Sequence, residues 1–139
     1  MTPIQKVLYT ARQHTAGGRD GGTSRSDDGR LDIRFSVPGG PGAGTNPEQL
    51  LAAGWSACFI GAMARSAGKM KLSLPAGTAV DTEIDLCVTG DAYSLQARLH
   101  VSLPGLEPGV ARAVADGAHQ ICPYSKALRG NVDVTIDVV

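Results

Sequence analysis

With 139 residues the chain has room for one domain and a real core, and its 13 basic residues are balanced by 13 acidic ones. The charges are spread along the chain, with no polybasic patch for nucleic acid and no acidic tail, so nucleic-acid binding is excluded as a working reading. Residues 1–10 lack the pattern of a signal peptide, and the apolar stretch ending at Arg65 reads as too short for a bilayer, so a soluble cytoplasmic protein is expected. In that compartment three cysteines are either chemistry or core, and any bridge between them is expected to be transient.

In chain order, Leu31, Ile33, Phe35 and Val37 alternate with Asp32, Arg34 and Ser36, the period of a half-buried strand. Its expected partner is residues 4–11, reached through a long connection containing Gly17, Gly18, Gly21, Gly22 and Gly29. A helix is expected to begin after Thr45, with Asn46 as cap, Pro47 at the first helical position and Gln49 returning a hydrogen bond to the cap. It should run to about Ser66. Its large residues, including Leu51, Trp55, Phe59 and Met63, are interspersed with alanine and glycine, and it has no wide polar face. Such a helix is either covered by sheet or packed closely against the same helix of a second subunit.

Val80, Thr82, Ile84, Leu86 and Val88 then share one strand face, as do Leu95, Ala97, Leu99, Val101 and Leu103, with a turn over residues 89–92. A second helix over residues 107–121 and a last strand carrying Val132, Val134, Ile136 and Val138 complete the order β-β-α-β-β-α-β. The expected class is α+β, with sheets covering central helices.

The chemistry rests on Cys58, within the apolar helix, and Cys122, which opens the turn Cys122-Pro123-Tyr124-Ser125. Burial disfavours a thiolate, so Cys58 becomes a nucleophile only if a cation reaches it. Arginine stays charged when desolvated, and its fork can hold a thiolate on one side and a carboxylate on the other. Arg19, in its glycine-rich loop, is the candidate, and Glu48 is the carboxylate to orient it. Glu48 and Cys58 are ten positions apart, about 15 Å of helix rise. Either the first turn is bent away, or the two subunits of a dimer each supply part of the site; the second is favoured here. Trp55, Phe35 and Phe59 suit the walls of a pocket for a substrate with a hydrocarbon body, although core packing explains Trp55 equally well. A thiolate there can attack the O–O bond of a hydroperoxide and become a sulfenic acid, which Cys122 can condense with to form a disulfide.

Three segments carry a resemblance: Gly44-Thr45-Asn46-Pro47-Glu48-Gln49-Leu50, Ala52-Ala53-Gly54-Trp55-Ser56-Ala57-Cys58-Phe59, and Cys122-Pro123-Tyr124-Ser125 followed by Arg129-Gly130-Asn131. Together they closely resemble the organic hydroperoxide resistance (Ohr) proteins of the OsmC/Ohr superfamily. The resemblance implies an intertwined homodimer in which two sheets wrap the central helices, with sites at the subunit interface. It implies a thiol peroxidase acting on organic, including fatty-acid, hydroperoxides. Cys58 would be the peroxidatic thiol, Cys122 the resolving thiol, Arg19 the activating residue and Glu48 its positioning partner. The resemblance also implies no bound cofactor and recycling by dihydrolipoamide carried on lipoylated proteins. A short loop at residues 37–44 and tryptophan at position 55 depart slightly from the pattern.

Blander readings stand beside these. Cys87 falls on the polar face of its strand and reads as packing. Arg65, seven positions past Cys58, is a competing cation that reads as a helix-end charge. His119 and Cys122 are spaced like metal ligands, but no second pair accompanies them, so no metal is expected. A thiol redox sensor and a lipid-binding OsmC-like protein are the alternatives in function.

Overall fold

The computed structural model describes residues 6–139, which divide between Pro47 and Glu48 into two compact units. In the first, β1 (Gln13–Ala16), β2 (Thr23–Ser26) and β3 (Asp32–Arg34) form an antiparallel sheet in the order β1-β2-β3. The expected strand at residues 31–37 is present in shortened form as β3, but its partner differs from the expectation. Residues 6–12 form no strand, residues 4 and 5 lie outside the described ones, and β3 instead pairs with β2 through Thr23↔Arg34 and Ser24↔Ile33.

The physical reason is that β2 reads Thr-Ser-Arg-Ser and buries only the small Ser24, so it carries no apolar alternation to mark it. Its anchoring is polar, with the Thr15 and Ser24 hydroxyls 2.7 Å apart across β1 and β2. The connection between them turns at Gly17, Gly18 and Gly21, all with positive φ. Gly22 is fixed differently: a Cβ there would clash with the carbonyl oxygens of Ala16 and Gly18.

The second unit is built on α1 (Pro47–Lys69), the β4 (Ala79–Thr89) and β5 (Ala92–Ser102) hairpin, α2 (Pro108–Ile121), α3 (Pro123–Leu128) and β6 (Asp133–Val138). Helix α1 begins at Pro47 as expected and continues beyond Ser66 to Lys69. At 23 residues, with a mean hydropathy of 1.2 over its most apolar stretch, it is long and apolar enough to cross a membrane by length and composition, which corrects the shorter span expected. Core helices share that composition. Here Trp55, Phe59, Met63 and Ala67 follow one stripe into the core, while Ala53, Ala57, Gly61, Ala64 and Gly68 lie exposed on the other side. Full burial of Phe59 and Met63 stabilises the unit by roughly 1.5–3 kcal/mol each.

The β4–β5 hairpin closes through Gly90 and Asp91, with Gly90 at φ 63° supplying the left-handed conformation of a tight turn. Strand β6 lies parallel to β5, so the chain must cross over between them, and α2 with α3 makes that crossing. The inner face presents Ala97, Leu99 and Val101 to the core, joined by Val80, Ile84, Val134 and Ile136. On the outer face the Arg98 fork grips Asp85 through two bonds of 2.8 Å each. Further along the same inner face Leu86, Val88 and Tyr93 are exposed, Tyr93 at 74%.

The second helix is as expected: Glu107 caps it by accepting from the Gly109 N–H at 3.3 Å, and Pro108 occupies the first position. It packs tightly on α1, because a Cβ on Gly117 would collide with the Ser66 hydroxyl. The short α3 replaces the turn expected at residues 122–125; Pro123, which cannot continue α2, starts the next helix.

Candidate active site

Cys122 sits at the joint between α2 and α3. Its backbone is extended (φ −64°, ψ 123°), the conformation favoured before proline, yet its N–H still donates to Ala118 O at 2.8 Å and its carbonyl accepts from Lys126 N at 2.9 Å. One residue thus ends one helix and begins another, and its side chain is fully buried in the core cluster. Cys58 comes from the middle of α1 and is half-buried. The two sulfurs, 64 residues apart in sequence, are 3.4 Å apart. Covalent S–S bonds measure about 2.0 Å, so a movement of about 1.4 Å would join them.

Two further contacts fasten α3 to α1 around that pair. The Trp55 indole N–H donates to Ser125 Oγ at 3.1 Å, with both residues fully buried. One residue earlier, Gly54 leaves room for Tyr124: a Cβ on Gly54 would lie 2.8 Å from the Tyr124 hydroxyl. Gly54, Trp55 and Cys58 therefore meet Tyr124, Ser125 and Cys122 in turn, which fixes the register between the helices.

Burial pushes the Cys58 thiol up from its ordinary range, the Tyr124 backbone N–H pulls it back in part, and the neighbouring Cys122 adds to the rise. On α1, α2 and α3 themselves, then, nothing makes this sulfur a ready thiolate, and the requirement for a cation read from the sequence still stands. Cys58 opens into a pocket of about 500 Å³ walled by Ala62, Ile121 and Pro123, with Arg65 and Lys126 on its lining. A second, smaller groove of about 380 Å³ is almost wholly apolar, lined by Leu51, Tyr124 and Leu128.

The other expected residues are distributed as follows. Arg19 is half-buried in the turn after β1, in the N-terminal unit. Glu48 stands in the first turn of α1, which runs without interruption from Pro47 to Lys69, so within one chain it remains about 15 Å of helix rise from Cys58. Trp55 and Phe59 are fully buried core residues and line neither groove of the second unit described above. Phe35 lines a groove of about 730 Å³ in the N-terminal unit. His119 is half-buried, and desolvation followed by the Arg129 charge lowers its pKa.

Ser125 and the Tyr124 N–H were missed from the sequence, although both lie within the quoted Cys122-Pro123-Tyr124-Ser125 segment. Arg65 reads from the sequence as a helix-end charge, but seven residues is close to two helical turns and puts it on the Cys58 face.

Residues 40–137 match the OsmC-like protein family. An organic hydroperoxide resistance protein of Xanthomonas axonopodis pv. citri is 43% identical, covering 98% of both chains. Among solved structures, the organic hydroperoxide resistance protein OhrB of Bacillus subtilis superposes with a TM-score of 0.90 at 36% identity, covering 96% of this chain and 100% of that one. A Legionella pneumophila organic hydroperoxide resistance protein gives a TM-score of 0.88 at 41% identity, covering 96% and 98%.

Proposed function

Since the chain belongs to the OsmC-like family, in its organic hydroperoxide resistance (Ohr) branch, we propose that it is a thiol peroxidase that reduces organic, including fatty-acid, hydroperoxides to alcohols. The observation that carries this reading is the 3.4 Å approach of Cys58 and Cys122. The Cys58 thiolate attacks one peroxide oxygen, the O–O bond breaks, and the departing alkoxide takes a proton to leave as the alcohol. Cys58 is then a sulfenic acid. The Cys122 sulfur attacks it, hydroxide leaves as water, and the disulfide forms before a second peroxide can over-oxidise Cys58.

In this proposal Arg19 keeps Cys58 ionised and Glu48 orients Arg19. The uninterrupted α1 favours a composite site, with the subunits of a homodimer each supplying part of it. Support for a homodimer comes from the exposed small-residue side of α1 and from the exposed Leu86, Val88 and Tyr93 on the sheet's apolar face. Dihydrolipoamide on lipoylated proteins is the proposed reductant, no cofactor is bound, and the location is the cytoplasm.

The test is turnover of an alkyl hydroperoxide by purified protein with dihydrolipoamide. Turnover well above that with hydrogen peroxide, abolished by Cys58→Ser, is expected; equal turnover by the variant refutes the mechanism. A redox sensor would stop after about one equivalent of peroxide, and a lipid-binding protein would keep both thiols titratable.

A further inference from the structure

The two sulfurs differ sharply in access. Cys122 is fully buried, enclosed among core residues, whereas Cys58 is half-buried and opens into the 500 Å³ pocket. In thiol–disulfide exchange the attacked sulfur is the one a thiolate can reach, and approach is along the S–S axis from the side away from the leaving sulfur. Among the described residues, those lining the pocket include two cations, Arg65 and Lys126, and no acid. Burial and the neighbouring Cys122 push the reduced Cys58 thiol up, with the Tyr124 N–H opposing them, while the two cations sit farther out on the pocket lining. They are placed to act on whatever enters.

We infer that the pocket edged by Arg65 and Lys126 is the entry site of the reductant, that it selects thiols carrying negative charge, and that these attack Cys58 rather than Cys122. The reductant thiolate forms a bond to Cys58 Sγ, the Cys58–Cys122 bond breaks, and the electron pair leaves on Cys122, which takes a proton. If the reductant is a dithiol, its second thiolate displaces Cys58 from the mixed disulfide, so two electrons reach the protein and the reductant leaves as its own disulfide. The inference deepens the cycle proposed above and rests on the disulfide in it; dihydrolipoamide itself has no fixed charge, so the negative charge that the pocket selects is that of the protein carrying it.

Diamide makes that disulfide without any peroxide, so the test is independent of peroxidase activity. The oxidised protein is mixed with 2-mercaptoethanesulfonate, 2-mercaptoethanol or cysteamine at low salt, quenched with acid, alkylated and mapped by peptide mass spectrometry. The adduct is expected on Cys58 with Cys122 alkylated. Corrected for thiolate fraction, the anionic thiol should react faster than the cationic one, with each cation contributing roughly two- to five-fold. In the Arg65→Ala/Lys126→Ala variant that ratio should collapse towards one; using a ratio cancels any loss of folded protein. An adduct on Cys122, or an unchanged ratio in the double variant, overturns the inference and leaves the cycle intact. Failure of diamide to form the disulfide would bring down both.

Discussion

Replacing Ser125 by alanine tests the register between α1 and α3 at a point where the consequence can be worked out. The Trp55 indole N–H donates to Ser125 Oγ at 3.1 Å, and neither residue is exposed, so no water can take over the acceptor's place. A buried donor left without a partner costs about 1–3 kcal/mol. For a chain of this length that corresponds to a fall in Tm of about 3–4 °C per kcal/mol. Thermal unfolding followed by circular dichroism gives the number. Trp55→Phe removes the donor, and a double-mutant cycle with Ser125→Ala isolates the pair from the volume each substitution deletes. A coupling of about 1 kcal/mol is expected. Additive effects, or a Ser125→Ala variant within about 0.3 kcal/mol of the parent, would show that the hydrogen bond does not hold the helices.

Gly54→Ala should give opposite signs in two backgrounds. Beside Tyr124 the new methyl would lie 2.8 Å from the hydroxyl, whereas in Tyr124→Ala the three atoms nearest to it are gone and it should stabilise α1 by up to about 1 kcal/mol through helix propensity; equal effects in both backgrounds would refute the contact. On the outer face of the sheet the Arg98 bonds, with Gln96 assisting, hold the Asp85 carboxyl down at about 2. A depressed folded-state value means that this stabilisation is complete above the unfolded carboxylate's pKa near 3.9 and is lost as pH falls from there towards 2. Arg98→Ala should therefore raise the pH of acid unfolding, and an unchanged acid transition would argue against the pair's contribution.

Much of the fold was legible because its signals are periodic. The β4–β5 hairpin, α2 and β6 appear where alternation and capping placed them, and the start of α1 was marked by Pro47. The misreading of the N-terminal sheet has a physical cause: β2 is held by backbone pairing and a hydroxyl contact, so hydrophobic alternation could not reveal it. Helix α3 was obscured by Pro123, which reads equally as a stop and as a first helical residue. At the site, the two cysteines were identifiable from their segments, but their approach depends on α2 and α3 folding back along α1. Nor could any local pattern show that Trp55, suggested as a pocket wall, spends its polar atom on Ser125.

In the proposed cycle the scaffold and the activating charge have separable duties, and this can be tested in time rather than in amount. Helices α1 and α3 bring the sulfurs to 3.4 Å but leave Cys58 with its thiol pushed up, so they prepare the second step, disulfide closure, without providing for the first. Ionisation of Cys58 is the duty proposed for Arg19. Trp55, the chain's only tryptophan, lies one helical turn before Cys58, and its fluorescence should report both events in stopped flow. Arg19→Ala should slow the peroxide-dependent first phase and move its pH profile upward, because more alkaline solution is needed to ionise an unassisted thiol. Ser125→Ala should leave that phase in place and slow the peroxide-independent second phase, making Cys58 more prone to over-oxidation. If both substitutions slowed the same phase, activation and closure would be one concerted property of the site, and the division of labour would be wrong.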